Sequence, residues 1–507
     1  MAARPYTRLG VSLFLLVAAA GRAPAQCPDG TPPPCAGQVA RGPSPRSIAV
    51  LTFENANRDT SAEYLAEGLA DQIYTRLGTV ARLTMISRTA VRRLRNREQL
   101  SVQQLGRSLN AAYLVSGSVR VAGGRVRVSA EALRASTGES MWSDSYDRAG
   151  DDLVGIEEAI ATEVAAGVAG RLSPQERRAL GSRVTANSRA YEQFLRGNVL
   201  LTRRTGAAIR DAIAAYQAAT VADPGFADAF GRLAWAYALC VNWRCSGGAD
   251  SLLGLSREAA TRALRLDPRS SDAWMGRGGL LANWFATAPL GRDDSMLAAV
   301  AAFRRAVELN PRDAEAWHQY GTYLSFVGET AGLEALRRAV ALDPARAITY
   351  QNISWDYYLL GREQEALAVI DSAVSLEPDG PFRMYRVAYR LTAGDTAGAV
   401  ADARRTPDLW LSPIVLAVFA HDSTALRTME ARVATPTCAA AAGAMDAVYL
   451  LWSGRREEAV RRLAGCGPSL WTRYALRLPP LAPLADEPRI QALRAESDSI
   501  LARAHWH

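Results

Sequence analysis

The 507-residue chain has no lysine at all; its 59 basic side chains are all arginine. Guanidinium forks suit phosphates and carboxylates, but these arginines are spread over the whole length and the net charge is only +8. That pattern reads as a coding bias and argues against a nucleic-acid partner. A local cluster, Arg88, Arg92, Arg93, Arg95 and Arg97, reads as a solvated helix face. Histidine is scarce too: His318, His421, His505 and His507 form no ligand or catalytic constellation, and both metal ligation and general-base chemistry need a set of groups at defined spacing. Six cysteines form no metal-binding set. They fall into sequence-local pairs, Cys27 with Cys35, Cys240 with Cys245 and Cys438 with Cys466, which are the expected disulfides of an exported chain. Long apolar runs are missing as well, so no segment reaches the roughly 20 residues that span a bilayer. Two features that could carry chemistry have plainer explanations. Gly276-Arg277-Gly278-Gly279 lies within a helical pattern, where glycines make a packing surface rather than a phosphate loop, and Asp151-Asp152 and Asp293-Asp294 sit at a helix start and in a loop insert. Neither a cofactor nor a metal is expected.

What is present is ordered along the chain. Arg4 and Arg8, the apolar run Gly10 to Ala20 and Ala23-Pro24-Ala25 read as a secretory signal over residues 1–25. Cleavage before Gln26 would give a periplasmic or extracellular protein, its net charge lowered to +5 by loss of Arg4, Arg8 and Arg22. A Pro-rich linker fills 26–46. From 47 to 172 the pattern predicts a small α/β unit: a strand SIAVLTF, an amphipathic helix with Leu65, Leu69, Ile73 and Leu77 at helical spacing, a strand LTMIS, a helix with a Ser101/Gln104 capping box, and two strands joined at Gly123-Gly124. A third strand ESMWSDSY and a helix from Asp151 to Arg171 close it. The stretches IAVLTFEN, AEYLAEGLADQIYTRL, ISRTAV and YLVSGSVRVAGGRVRVSAEALRASTGESMWSDSYDR resemble the TolB-like N-terminal domain that precedes tetratricopeptide (TPR) arrays in many bacterial regulators and adenylate-cyclase-associated proteins. Many such relatives begin with a cytoplasmic DNA-binding, kinase or cyclase module and a membrane helix; here a signal sequence stands in that place. The unit is expected to fold alone, separated from the C-terminal two thirds of the chain by a linker at 173–188.

From residue 189 the phrases VADP, RLDP, ELNP, ALDP and SLEP recur, with their prolines at 224, 268, 311, 344 and 378. The last two intervals, 33 and 34 residues, match the TPR period, and the first two, 44 and 43, carry inserts of about ten residues. Five repeats are expected over 189–380, degenerate helix pairs over 381–470 and a capping segment over 471–507. The fold class is therefore an α+β N-terminal domain, a mixed sheet covered by helices, followed by an all-α TPR superhelical solenoid. That architecture implies an exported, non-enzymatic scaffold binding a protein or peptide partner on its concave face, or alternatively an extracytoplasmic sensor passing a ligand signal to a membrane partner. Counting five positions on from the first aromatic of each pair puts Trp235 and Trp355 on the concave stripe, with Gln351 and Tyr358 beside Trp355, and His318, Thr322 and Phe326 in the preceding repeat. These seven are the expected partner-binding residues.

Overall fold

The computed structural model describes residues 43–503, apart from short gaps at 58–62, 95–98, 124, 150–152, 182–184, 244, 246, 288–292, 379, 410 and 436–439. The expected signal sequence, most of the Pro-rich linker and Cys27, Cys35 and Cys438 lie outside the described residues, as do Arg95, Arg97, His505 and His507.

The first unit contains β1 (Ser47–Val50), β2 (Glu54–Asn55), α1 (Glu63–Gly78), β3 (Thr84–Met85), α2 (Arg88–Arg93), α3 (Val102–Leu109), β4 (Tyr113–Ala122), β5 (Arg125–Arg134), β6 (Ser140–Ala149) and α4 (Leu153–Ala169). The main path of the sheet runs β3-β1-β4-β5-β6; β1 is parallel to β3 and β4, and β4, β5 and β6 are antiparallel. Successive side chains of a strand point to opposite faces, and that alternation splits the core in two. Ile48 and Val50 join α1 and α4, whereas Ala49 joins Leu114, Val91, Leu105 and Leu109 under α2 and α3. The Ser101/Gln104 capping box forms in full, and Gly123 takes φ 57°, the left-handed turn geometry that a two-residue hairpin connection requires.

A short helix α5 (Pro174–Leu180) comes next, within the stretch read from sequence as a linker; it starts from its own capping box, Ser173 with Glu176, and buries Leu180 completely. Then come eight helix pairs: α6/α7 (Ser188–Thr202, Gly206–Ala222), α8/α9 (Ala227–Asn242, Ala249–Leu266), α10/α11 (Ser271–Thr287, Asp293–Leu309), α12/α13 (Ala314–Val327, Ala331–Leu342), α14/α15 (Ala347–Leu359, Glu363–Leu376), α16/α17 (Arg383–Thr392, Thr396–Arg405), α18/α19 (Ser412–Phe419, Ser423–Ala434) and α20/α21 (Ala440–Trp452, Arg456–Ala464). The chain closes with α22 (Leu470–Ala475), a 3-10 turn at Pro479–Leu484 and α23 (Pro488–Arg503). The two inserts largely lengthen the second and third pairs as helix, rather than forming loops: α8 runs on to Asn242 and α10 to Thr287. Close packing of α10 against both α8 and its own partner α11 rests on missing side chains. A Cβ on Gly276 would lie 2.6 Å from the Gly231 carbonyl, one on Gly278 2.5 Å from the Phe303 ring and one on Gly279 2.4 Å from the Trp235 ring. The glycine run is thus a helix-packing surface.

The solenoid and the first unit share one core. Leu172, Leu180, Tyr191, Phe194 and Leu195 belong to the same buried cluster as Leu69, Ile73 and Ile160. Residues 46–172 are therefore not packed as a separate body in the full chain, because α1 buries a face against α6, where Gly68 lies under Leu195. Further along, the turn between α1 and β3 together with α2 and its N-cap grip the turns that precede three successive pairs. Arg312 donates to the carbonyls of Val80 (3.3 Å) and Leu83 (3.4 Å), and Asp343 accepts from Ser87 (2.8 Å) and Thr89 (2.7 Å). Arg93 donates to the Leu376 carbonyl (2.6 Å) and pairs with Glu377 (2.5 Å). Arg88 and Arg92 pair with Asp71, and Arg92 also with Glu67. The described members of the arginine cluster therefore hold α2 in place, a structural role rather than a freely solvated face.

Candidate functional site

Each of the seven stripe residues sits on the first helix of its pair, and the array turns most of them inward. Trp235 is 4% exposed, lying over Gly279 with its ring edge-on to Phe303 (6.5 Å). Tyr358 is wholly buried, its ring 4.8 Å from Tyr389 and 5.4 Å from Trp355. Gln351 is buried, and its carbonyl accepts from Ser354 (2.7 Å). His318 is buried with Nδ1 3.2 Å from the Thr349 hydroxyl; burial pushes the imidazole down to about 3, and the Arg346 guanidinium adds to the effect. Thr322 is half-buried, donating to the His318 carbonyl (2.7 Å) and accepting from Asn352 (2.6 Å).

The last two stripe residues meet the chain's own C-terminal segment. Phe326 packs against Tyr474 (4.6 Å) and Trp471 (5.3 Å) of α22, and Trp355 Nε1 donates to the Tyr474 hydroxyl. Arg473 donates to the Val327 carbonyl (2.6 Å) and Arg477 to that of Ser325 (3.1 Å), so α22 is also tied to the C-terminal end of α12. The expectation of an open aromatic stripe is therefore corrected. The five-position count gives a direction around one helix, but the later pairs curl round and bring α22 onto the surface that this direction faces.

Beside the stripe lies a charged junction that sequence reading missed. Glu315, in the first turn of α12, accepts from Arg204, Arg346 and Gln319, the last at 2.8 Å. Burial opposes its ionisation, yet Arg204 and Arg346 outweigh burial and hold the carboxyl far below the usual range. Arg204 itself sits at φ 50°, uncommon for a residue with a side chain, and its ion pair helps hold it there. Nearby, Arg232 pairs with Asp272 at 2.8 Å, and burial pushes that carboxyl up to about 7 against the pull of Arg232. No spacing announces this junction, because Arg204 and Glu315 are 111 residues apart.

Cys240 and Cys245 are free thiols in the structure, which corrects the bridge expected between them. The Cys245 N–H donates to the Cys240 carbonyl (3.1 Å), and burial, followed by the hydrogen bond to the Cys240 thiol, pushes the Cys245 thiol up to about 12. Cys466 is disulfide-bonded; Cys438, its expected partner, lies outside the described residues. Among the described residues no helix is long and apolar enough to cross a membrane.

On the side of α8 away from Trp235, Phe230, Leu233 and Tyr237 form the floor of an open cleft of about 560 Å³. Their three- and four-residue spacing puts them on one helical face. Leu255 and Ala259 of α9 form a wall, and Arg257, Glu258, Arg262 and Arg265 edge it.

No protein-family model matches the chain. Over 191 residues it is 27% identical to "Putative adenylate cyclase 3" of Rhizobium meliloti (strain 1021), a match covering 38% of this chain and 32% of that protein, about a third of its length. Among solved structures it is similar to a thermophilic TPR protein of Thermus thermophilus, at 19% identity over 40% of this chain and 98% of that one, with a TM-score of 0.33. It is also similar to a TPR protein described as having an unusual peptide-binding site, at 22% identity over 38% and 89%, with a TM-score of 0.25. At these scores neither superposition bears on what the chain does.

Proposed function

We propose that this chain is an exported, non-catalytic scaffold that binds a protein or peptide partner through the outer surface of its TPR-type helix pairs, with a TolB-like domain at its head. One observation carries the reading. Large apolar side chains stay in solvent, Val221 at 81% exposure, Leu255 at 40% and Leu426 at 44% on the second helices of their pairs and Phe419 at 36% at the end of α18, while the aromatic stripe is consumed by internal packing. Apolar side chains on a rigid surface are what a partner covers. Rigidity has a visible source here, since the first unit ties three successive turns together and α22 ties down the end of α12.

A second reading, an extracytoplasmic sensor or regulatory module that signals through a membrane partner, draws support from the partial likeness to a protein named as a cyclase. The two differ in what they bind. A photo-crosslinking amino acid placed at Leu255, Leu426 and Phe419 in the native host should give discrete protein adducts if the chain is a scaffold. Absence of adducts at all three positions, together with a ligand-induced rise in melting temperature from a metabolite screen, would replace the first reading by the second.

A further inference from the structure

We infer that the cleft over α8 is a docking site for a short acidic segment carrying bulky apolar side chains. The inference rests on the protein-binding reading above and adds where the partner binds and what chemistry it has. The floor is aromatic and aliphatic, supplied by Phe230, Leu233 and Tyr237, and Leu255 stands 40% exposed at its wall. A concavity of this size accepts a few side chains, and aromatic floors are the usual anchors of such contacts.

Charge selects the occupant. The rim carries three arginines and one acid, Glu258. Among the described residues neither Arg262 nor Arg265 has a carboxylate partner, whereas Arg204, Arg232, Arg305 and Arg346 are all in ion pairs. Arg262 is also positioned in advance: it donates to the Pro224 carbonyl (3.2 Å) and lies 6.0 Å over the Phe230 ring. A guanidinium already held over the floor loses little freedom when a carboxylate arrives. An apolar floor beside the Arg262 and Arg265 guanidiniums fits a segment in which leucine or phenylalanine alternates with aspartate or glutamate, and it disfavours a basic one.

The test uses the full chain and two synthetic helical peptides, one with leucines at every third and fourth position and glutamate elsewhere, the other with the same leucines and arginine elsewhere. Fluorescence anisotropy should show the glutamate peptide binding at least about tenfold more tightly, with affinity falling as salt rises. Leu255→Glu and Arg262→Glu should each weaken that binding by about tenfold. Both side chains are exposed, so melting temperature should stay at the wild-type value, and Arg427→Glu on α19 should bind as wild type. Equal binding of the two peptides, or wild-type affinity in both cleft variants, overturns the inference. Partner crosslinks that survive both variants in the native host would also overturn it while leaving the scaffold reading in place, whereas loss of crosslinks at every outer position removes the scaffold reading itself.

Discussion

Tyr358→Ala tests the internal placement of the aromatic stripe most directly. A residue lining an open groove can be truncated at little cost to stability. Tyr358, by contrast, has no exposed surface and its ring touches Tyr389 and Trp355 at 4.8 and 5.4 Å. Truncating a large buried aromatic costs about 3–5 kcal/mol, the transfer of the ring plus the cavity it leaves. For a cooperative unit of a few hundred residues, that corresponds to a fall in melting temperature of roughly 6–20 °C. Helix-pair arrays can lose cooperativity along their length, so thermal unfolding by circular dichroism should be paired with hydrogen exchange. The loss of protection should centre on α14 and α16, which the Tyr358–Tyr389 contact joins. Trp355→Ala should show a smaller loss, since Trp355 is half-buried, and should also loosen α22 through the lost bond to Tyr474. A melting temperature within about 1 °C of wild type for Tyr358→Ala would refute the core placement, given the expected few degrees per kcal/mol.

Four further outcomes are expected from the same structure. Glu157 is completely buried, and burial pushes its carboxyl up to about 8 against the opposing Tyr191 hydrogen bond and Arg76. The folded state thus keeps a proton that an unfolded glutamate gives up near 4.5, so this stabilisation is complete below about 4.5 and drains as pH rises toward 8, at up to about 1.4 kcal/mol per pH unit; urea titrations of Glu157→Gln should show a flatter slope in that window. His318 has the opposite sign: its folded value of about 3 lies below the ordinary 6.5, so its contribution is present above 6.5 and lost as pH falls toward 3, and His318→Asn should be less acid-sensitive over that range. Cys245 should resist iodoacetamide at pH 8 in the folded chain, because its thiol is pushed up to about 12, and alkylate fully once unfolded; rapid labelling of the native protein would contradict this. The fragment 46–172 should be poorly folded by near-UV circular dichroism, and extension to residue 222 should restore it, because only then does α6 cover α1; a cooperative melt of the short fragment would show the shared core to be dispensable.

The elements themselves were legible in the chain because they depend on local physics. Alternation in SIAV and RVRVSAEAL, the 3.6-residue spacing of Leu65, Leu69, Ile73 and Leu77, the Ser101/Gln104 box and the recurrent prolines depend on neighbours within a few positions, and strands, helix, cap and helix pairs appear there. The packing role of Gly276 to Gly279 was legible for the same reason, since glycine inside a helical pattern marks a close approach. Distance along the chain is what the sequence could not see. Trp235, Phe326, Trp355 and Tyr358 have the residue types and helical phase of a binding stripe, but which surface covers them depends on small rotations added up over successive pairs. Only that sum brings Trp471 and Tyr474 onto Phe326 and Trp355, sets Arg204 on Glu315 across 111 residues, and presses α1 against α6. The cleft over α8 has the same origin: Phe230, Leu233 and Tyr237 share one face of α8 by their spacing, and only the placement of α9 sets that face beside Leu255, Arg262 and Arg265.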